Sequence, residues 1–410
     1  MTIDRAQCEA LDQDDPLSHC RDRFTLPDGV LYLDGNSLGA LPRGVAERVG
    51  ATVTEEWGRG LIRSWNSAGW YASPQRAGAK TARLIGAGAH EVTVTDAISI
   101  NLFKLLIAAC RMRPERKVIV AEAGNFPSDL YVVDSVARLM GRSVRRVPAA
   151  QVAEAVDGDT AVATLSEVNF KSAERQDMVA VTASVHAQGA LILWDLAHSS
   201  GAVDVQLNRA GADFAVGCGY KFLNGGPGAP GHLFVAERHL AAVDQPLTGW
   251  FGHAEPFAFT EEFARAEGIR RMLCSTPPML SMAAYEAALD AYDGLAMAAV
   301  EAKARAMGDL LIALFDQRLA PLGCRLESPR DGARRGSHVS IGHDQGYAVM
   351  QALIARGVIG DFRAPDVMRF GLTPLYLGYA DVFDAVAAVE DVIARKAFET
   401  PEFQRRHAVT

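Results

Sequence analysis

The sequence predicts an α/β fold: a mostly parallel sheet flanked by helices, with a smaller α+β domain built from the N- and C-terminal segments. Three observations carry this. From about residue 80 to about residue 280, short continuous apolar runs alternate with helical stretches, the pattern of strands buried on both faces between crossover helices. The chain has 410 residues, more than one typical core holds, so a large and a small domain are expected. Hydrophobic residues make up 49% and charged residues 22%, an ordinary globular balance.

The elements follow in order. The first 30 residues are polar and predict a short helix and an arm. Leu31-Tyr32-Leu33 is a short strand, broken by Asp34-Gly35-Asn36-Ser37-Leu38-Gly39, a turn by its chemistry. Pro42 opens a helix running to about Gly58. A helix over Ala79–Ile85 precedes the strand Val92–Val94. The next helix, Ser99–Cys110, has apolar positions at Ile100, Leu102, Leu105, Leu106 and Ala109. Lys117–Val120 is a strand, Leu130–Met140 a helix, Thr160–Leu165 a strand and Val179–Gln188 a helix. The run Ala190–Trp194 ends at Asp195, and Ala212–Gly219 leads into Tyr220-Lys221. Ser281 to about Gln317 reads as one long Ala-rich helical stretch linking the domains. Beyond it, His338–Ile341, Val358–Ile359 and Met368–Gly371 are strands, and Asp381–Lys396 is a closing helix. The expected division is an arm and part of the small domain over 1–50, a large domain over 51–295 and a C-terminal small domain over 296–410.

Net charge is −8, which argues against nucleic acid as the main partner, because phosphate backbones need a basic field. Cysteines stand at 8, 20, 110, 218, 274 and 324 with no CxxC pair. No metal site is expected from that spacing, and reduced thiols in a cytoplasmic protein are. The N-terminus has no apolar signal region, and no apolar run approaches the roughly 18 residues of a membrane span.

Chemistry concentrates at strand ends, where ligands of open α/β sheets bind. Lys221 follows one buried run and is trailed by Phe222-Leu223-Asn224-Gly225-Gly226-Pro227-Gly228. Asp195 ends another and opens Asp195-Leu196-Ala197-His198. A lysine amine that condenses with an aldehyde, and a carboxylate that pairs with a protonated pyridine nitrogen, together point to pyridoxal phosphate. Either residue alone is an ordinary strand end; the pair with its flanking motifs is not. Ser99 falls in a first helical turn, where free N–H groups and the helix dipole favour an anion such as the cofactor phosphate; the plain alternative is a helix cap at Thr95, Asp96 or Ser99. Phe126, in Phe126-Pro127-Ser128-Asp129, is placed to stack on a ring or to sit in the core. Trp250 offers an indole N–H on a rigid plate or belongs to an aromatic cluster.

These segments together resemble kynureninase, a pyridoxal-phosphate hydrolase family of fold type I, the aspartate-aminotransferase-like fold, from about residue 30 to about residue 380. The marks are Asp34–Gly39, Phe126-Pro127-Ser128-Asp129, Asp195-Leu196-Ala197-His198, Tyr220-Lys221-Phe222-Leu223-Asn224, Gly249-Trp250-Phe251-Gly252-His253 and Ser275-Thr276-Pro277-Pro278. The resemblance implies Lys221 as the cofactor-bearing lysine, Asp195 as the partner of the pyridine nitrogen, and His198 beside the cofactor. It implies Phe126 and Asp129 at the ring, with Ile98, Ser99, Ser166, Tyr220, Trp250 and Thr276 completing the pocket, Thr276 from a neighbouring subunit of a homodimer. Tyr220 is implied as a proton donor or a phosphate ligand only. Ser37, Trp65 and Arg369 are implied at the substrate, Arg369 gripping its α-carboxylate in a two-pronged hydrogen bond; the other reading of Arg369 is pairing with a carboxylate of the protein. The implied reaction is hydrolytic Cβ–Cγ cleavage of L-kynurenine to anthranilate and L-alanine in tryptophan catabolism. The vertebrate pattern carries Asn at Thr276 and His in the loop Ser64-Trp65-Asn66, so plain kynurenine is favoured over its 3-hydroxy form.

Two alternatives stand beside this. One is another fold type I enzyme, a class V aminotransferase or a cysteine desulfurase; a desulfurase needs a reactive cysteine on a loop near Arg369, and Arg334–His338 holds none. The other is a non-catalytic cofactor-binding regulator, for which the chain has no spare basic domain.

Overall fold

The structure, a computed structural model, describes residues 2–406. After a capped helix α1 (Arg5–Gln13), the chain forms strand β1 (Leu31–Tyr32) and helix α2 (Val45–Ala51), which continues as a wider coil to Gly60. Helix α3 (Ser73–Leu84) leads to β2 (Val92–Val94), α4 (Ile98–Met112), β3 (Val118–Ala123), α5 (Pro127–Met140), β4 (Ser143–Pro148) and β5 (Thr160–Ser166). Then come α6 (Met178–Ala187), β6 (Leu191–Asp195), β7 (Phe214–Cys218) and β8 (Gly231–Val235).

These strands make a seven-stranded sheet in the order β2-β8-β7-β6-β5-β3-β4. Every pairing is parallel except those of β8, which runs antiparallel to β2 and to β7. Alternate residues feed two separate cores. Val118, Val120, Ala163, Leu165, Ile192 and Trp194 pack on one face. Ile119, Ala121, Val162, Leu191 and Leu193 pack on the other. Both faces are buried, so the strands read as unbroken apolar runs rather than alternating ones.

Helices α7 (Met279–Ala288) and α8 (Met297–Leu314) follow. A four-stranded antiparallel sheet comes next, built from β9 (Arg325–Leu326), β10 (His338–Gly342), β12 (Asp361–Arg363) and β13 (Val367–Gly371) in the order β9-β10-β13-β12. Between its strands lie α9 (Gly346–Ile354) and β11 (Val358–Ile359), and α10 (Tyr379–Ala394) follows. Strand β11 pairs in parallel with β1, Val358 opposite Leu31, which ties the N-terminal segment to the C-terminal one. A third core joins Phe24 and Leu33 to Met307, Val339, Met368 and Val386.

The mostly parallel sheet matches the expectation; several elements do not. Pro42 lies in a two-residue strand opposite Phe24, and the helix begins only at Val45, after Gly44 with φ +83°. Helix α3 starts at Ser73, well before Ala79. The long stretch from Ser281 is two helices, parted at Asp293-Gly294, where Gly294 takes φ +78°. None of β4, β8, β9 and β12 is predicted from the sequence. Strand β4 is a sheet edge carrying Arg145 and Arg146, and β8 follows the loop-like Gly226-Pro227-Gly228-Ala229-Pro230.

Candidate active site

A cavity of about 370 Å³ opens where the parallel strands end. Ser166, Asp195 and Cys218 close β5, β6 and β7, and all three line it. The first turn of α4 and the start of α5 add Ala97, Ile98, Ser99, Phe126, Ser128 and Asp129. From the antiparallel sheet come Arg363 of β12 and Arg369 of β13.

Lys221 is aimed by a tight turn after β7. Gly225 N–H donates to Gly219 C=O at 2.8 Å, and Asn224 N–H to Lys221 C=O at 2.8 Å. Asn224 accepts a left-handed φ of +58° to make that bend. The 34–39 turn crosses just above it: Gly39 N–H donates to Tyr220 C=O at 2.8 Å. A Cβ on Gly39 would stand 2.3 Å from Lys221 O, so only glycine fits. Lys221 Nζ then lies 3.1 Å from His198 Nε2. Burial, then the Lys221 charge, push His198 well below its ordinary pKa, so the ring is neutral. Its Nδ1 is buried with no hydrogen-bond partner.

Asp195 sits on the cavity floor, buried. Its Oδ1 accepts the Ala197 N–H at 2.8 Å, and its Oδ2 lies 3.2 Å from Ser166 Oγ. The Ser166 hydroxyl is also 2.7 Å from Asn125 Oδ1, and its single proton serves one of the two. Asp129 lies beyond, 3.4 Å from Asn125 Nδ2. Burial raises both carboxyls; Lys221 opposes the shift at Asp195, while Asp195 itself pushes Asp129 further up. Asp129 is raised the further of the two, and the Lys221 charge holds Asp195 closer to its charged form.

Helix α4 starts at Ile98, and the residue before it, Ala97, gives no side-chain cap. None of Thr95, Asp96 and Ser99 is its cap; Asp96 turns aside to Lys104. A 15-residue helix thus brings the start of its first turn, Ile98 and Ser99, to the cavity without a side-chain cap. Phe126 is 44% exposed and meets Phe170 edge-on at 5.2 Å, so it is a cavity wall and not core. Burial pushes the Tyr220 phenol up, and it stays protonated.

Arg369 lies inside β13, in the strand the sequence predicts over Met368–Gly371. Its fork is taken by the protein: Nε donates to Asp361 Oδ1 at 2.7 Å and Nη2 to Asp361 Oδ2. Nη1 donates to Phe170 C=O, and Nη2 also reaches Ser37 Oγ at 3.1 Å. The protein carboxylate weighed above as the other reading is Asp361. Sequence reasoning missed Asp361 and Arg363. Their signal was visible, two opposite charges two residues apart in the apolar run before Pro365.

Three expected residues lie away from this cavity within one chain. Trp65 packs on Trp70 and Phe251 at 5.7 and 5.8 Å. Trp250 packs on Phe251 and Phe257 at 4.8 and 5.7 Å, and is still 37% exposed. Thr276 lines a second cavity, which shares Ala97 and Tyr220 with the first.

The same architecture occurs in solved structures. A C-DES mutant with glycine covalently linked to its PLP cofactor has a TM-score of 0.77 at 18% identity, covering 95% of this chain and 100% of that one. The apo cysteine desulfurase of Thermococcus onnurineus NA1 has a TM-score of 0.75 at 17% identity, covering 92% of this chain and 98% of that one. The class is fold type I, the fold of these pyridoxal-phosphate-dependent enzymes. Within it, residues 300–389 match the kynureninase C-terminal domain. Curated kynureninases of Burkholderia mallei strain SAVP1 and of Pseudomonas fluorescens are each 50% identical to this chain over 413 residues, covering 99% of it and 99% of each relative. The chain belongs to the kynureninase family.

Proposed function

We propose that this protein is a kynureninase, hydrolysing the Cβ–Cγ bond of L-kynurenine to anthranilate and L-alanine with pyridoxal phosphate carried on Lys221. The observation that carries the reading is the convergence of Lys221, Asp195 and the uncapped start of α4 on one cavity in a chain of this family. The donor set suits the cofactor. Ile98 and Ser99 offer N–H groups to a phosphate, Asp195 a carboxylate to a pyridine nitrogen, and Phe126 a ring face. When bound, the cofactor supplies an electron sink next to the substrate Cα.

The chain's own groups do the rest. Lys221 takes the Cα proton and returns it, with His198 close by as a neutral ring rather than a competing cation. Asp195 keeps the pyridine nitrogen protonated. Water adds to the γ-carbonyl carbon, which leaves as the anthranilate carboxyl when the Cβ–Cγ bond breaks, and Tyr220, protonated in the cavity wall, is the proton donor to the Cβ that stays with the alanine product. Ser37 and the Arg363–Arg369 side receive the substrate carboxylate. Trp65, Trp250 and Thr276 act from across a homodimer interface, which accounts for their lying outside the cavity of one chain. Thr276 and the Ser64-Trp65-Asn66 loop favour plain kynurenine over the 3-hydroxylated substrate. We read residues 1–50 and 296–410 as the small domain and 51–295 as the large one, in a cytoplasmic protein. Among the described residues no helix is long and apolar enough to cross a membrane.

The desulfurase reading is disfavoured by chemistry. Cys324 is buried, with burial raising its thiol to about 11, and burial likewise raises Cys218, which lines the cavity. The test is direct: purified protein loaded with pyridoxal phosphate is incubated with L-kynurenine while anthranilate fluorescence is followed. Absence of anthranilate from fully loaded protein overturns the assignment.

A further inference from the structure

We propose that Lys104 is a positioning residue for the cofactor phosphate: it holds the Asp96 carboxylate away from the start of α4, which keeps that helix end for the phosphate instead of the protein's own aspartate. The inference rests on the proposed function for the identity of the anion, and on geometry for the residue.

Lys104 sits in the second turn of α4, and its side chain is 0% exposed. A lysine is almost never buried so fully unless it is paired. Its Nζ donates to Asp96 Oδ2 at 2.5 Å and to Met272 C=O at 2.6 Å. Burial pushes the amine down and the Asp96 charge pulls it back up. The proposed reaction uses neither residue.

Asp96 stands where an aspartate caps a helix. It lies two residues before Ile98, next to Ala97, which offers the helix no side-chain bond. The first N–H groups of α4 have no partner within the helix. Aspartate is among the strongest capping side chains, and its charge suits the positive end of a helix. Instead Asp96 takes a left-handed φ of +49°, and its carboxylate goes to Lys104 eight residues on. The main chain here is pinned. Gly231 N–H donates to Asp96 C=O at 2.7 Å, Thr95 N–H to Gly231 C=O at 2.9 Å, and Asn101 Nδ2 to Thr95 C=O at 2.7 Å. The Asp96 side chain is the part left to turn, and at 23% exposed it has room. Asp96 lines the second cavity and Ala97 lines both. A carboxylate released from Lys104 is therefore at the edge of the anion site, where it competes for the same N–H groups and repels a phosphate.

The test is binding of pyridoxal phosphate and of pyridoxal, which lacks the phosphate, to full-length protein stripped of cofactor, followed by absorbance. Wild type is expected to prefer the phosphorylated form strongly. Lys104→Met is expected to cut pyridoxal phosphate affinity by on the order of tenfold or more, with pyridoxal affinity little changed. Lys104→Met/Asp96→Gly is expected to recover most of that loss, because glycine suits the left-handed φ and can neither cap nor repel. Asp96→Gly alone is expected to keep the wild-type preference. Lys104→Gln, which keeps a donor for Met272 C=O but not the charge, reads the same ratio if the methionine variant fails to fold. Equal loss of both affinities, an unchanged ratio in the Lys104 variants, or no recovery in the double variant overturns the inference. So does a lowered ratio in Asp96→Gly, or a wild type that binds pyridoxal as tightly as its phosphate. Since cofactor binding needs no C–C cleavage, protein that shows the expected ratios but releases no anthranilate sinks the proposed reaction and leaves this inference standing.

Discussion

Lys221 Nζ and His198 Nε2 stand 3.1 Å apart, and burial holds the histidine well below its ordinary pKa. Its ring is buried and neutral and Nδ1 has no hydrogen-bond partner, so the ring's tautomer sets which of Nζ and Nε2 donates. A second buried imidazole, His338, lies 5.5 Å away ring to ring, and burial lowers it to about 3. Two neutral rings behind Lys221 add no positive charge to a site that must admit a phosphate, a carboxylate and a protonated pyridine together.

Lys221→Ala is expected to abolish anthranilate release. Borohydride reduction of loaded wild type, followed by peptide mass analysis, should find the cofactor on the peptide containing Lys221 and nowhere else. Label on another lysine, or turnover by the variant, rules out Lys221 as the attachment point.

Asp195→Asn is expected to leave the fold intact, since its volume is unchanged and the Ala197 N–H keeps an acceptor. Turnover should fall by several orders of magnitude, because a neutral amide cannot hold a proton on the pyridine nitrogen. Near-wild-type kinetics at full cofactor occupancy would refute the role.

Much of this was legible in the sequence. Strands buried on both faces show as continuous apolar runs, and the site residues that follow them, Asp195 and Lys221, stand out as charges at the ends of such runs. Strand β4 hid because an edge strand need bury little, and Arg145 and Arg146 break the apolar signal there. The Asp361 fork on Arg369 was invisible because β12 and β13 are two short strands whose pairing sets Asp361 opposite Arg369, and register is not written in either strand alone. Trp65, Trp250 and Thr276 could be found by motif but not placed, since what surrounds them is set by tertiary packing.

Arg369→Met tests whether the buried Asp361–Arg369 pair is structural. Removing the fork leaves Asp361 buried with Arg363 as its remaining cation, and breaking a buried pair from one side costs about 3 kcal/mol or more. Urea unfolding should show that loss in the protein without cofactor as well as with it. An unchanged midpoint would mean that the Asp361–Arg369 pair is not structural and that the fork opens to ligands.

Asp34 gives the clearest pH signature. Its carboxyl is raised to about 7 by burial and by Asp361, with Ser37, Arg369 and Arg363 pulling the other way; Tyr32 and Tyr376 are further titratable neighbours, and burial keeps both protonated. In the unfolded chain an aspartate titrates near about 3.9. Between those values the folded protein binds a proton that the unfolded chain has lost, so stability falls as pH rises through this window and levels off above about 7. Asp34→Asn should flatten that slope, so that the variant gains on wild type as pH rises. Substrate binding should follow the same proton. Above about pH 7 the charged Asp34 competes for the Arg363–Arg369 side that receives the substrate carboxylate, and KM for L-kynurenine is expected to climb; in Asp34→Asn that climb should vanish while limbs belonging to other groups remain. Steady-state kinetics of both proteins from pH 6 to about 9 separates the two cases. If wild type and variant show the same KM profile, Asp34 does not set the charge at the carboxylate site.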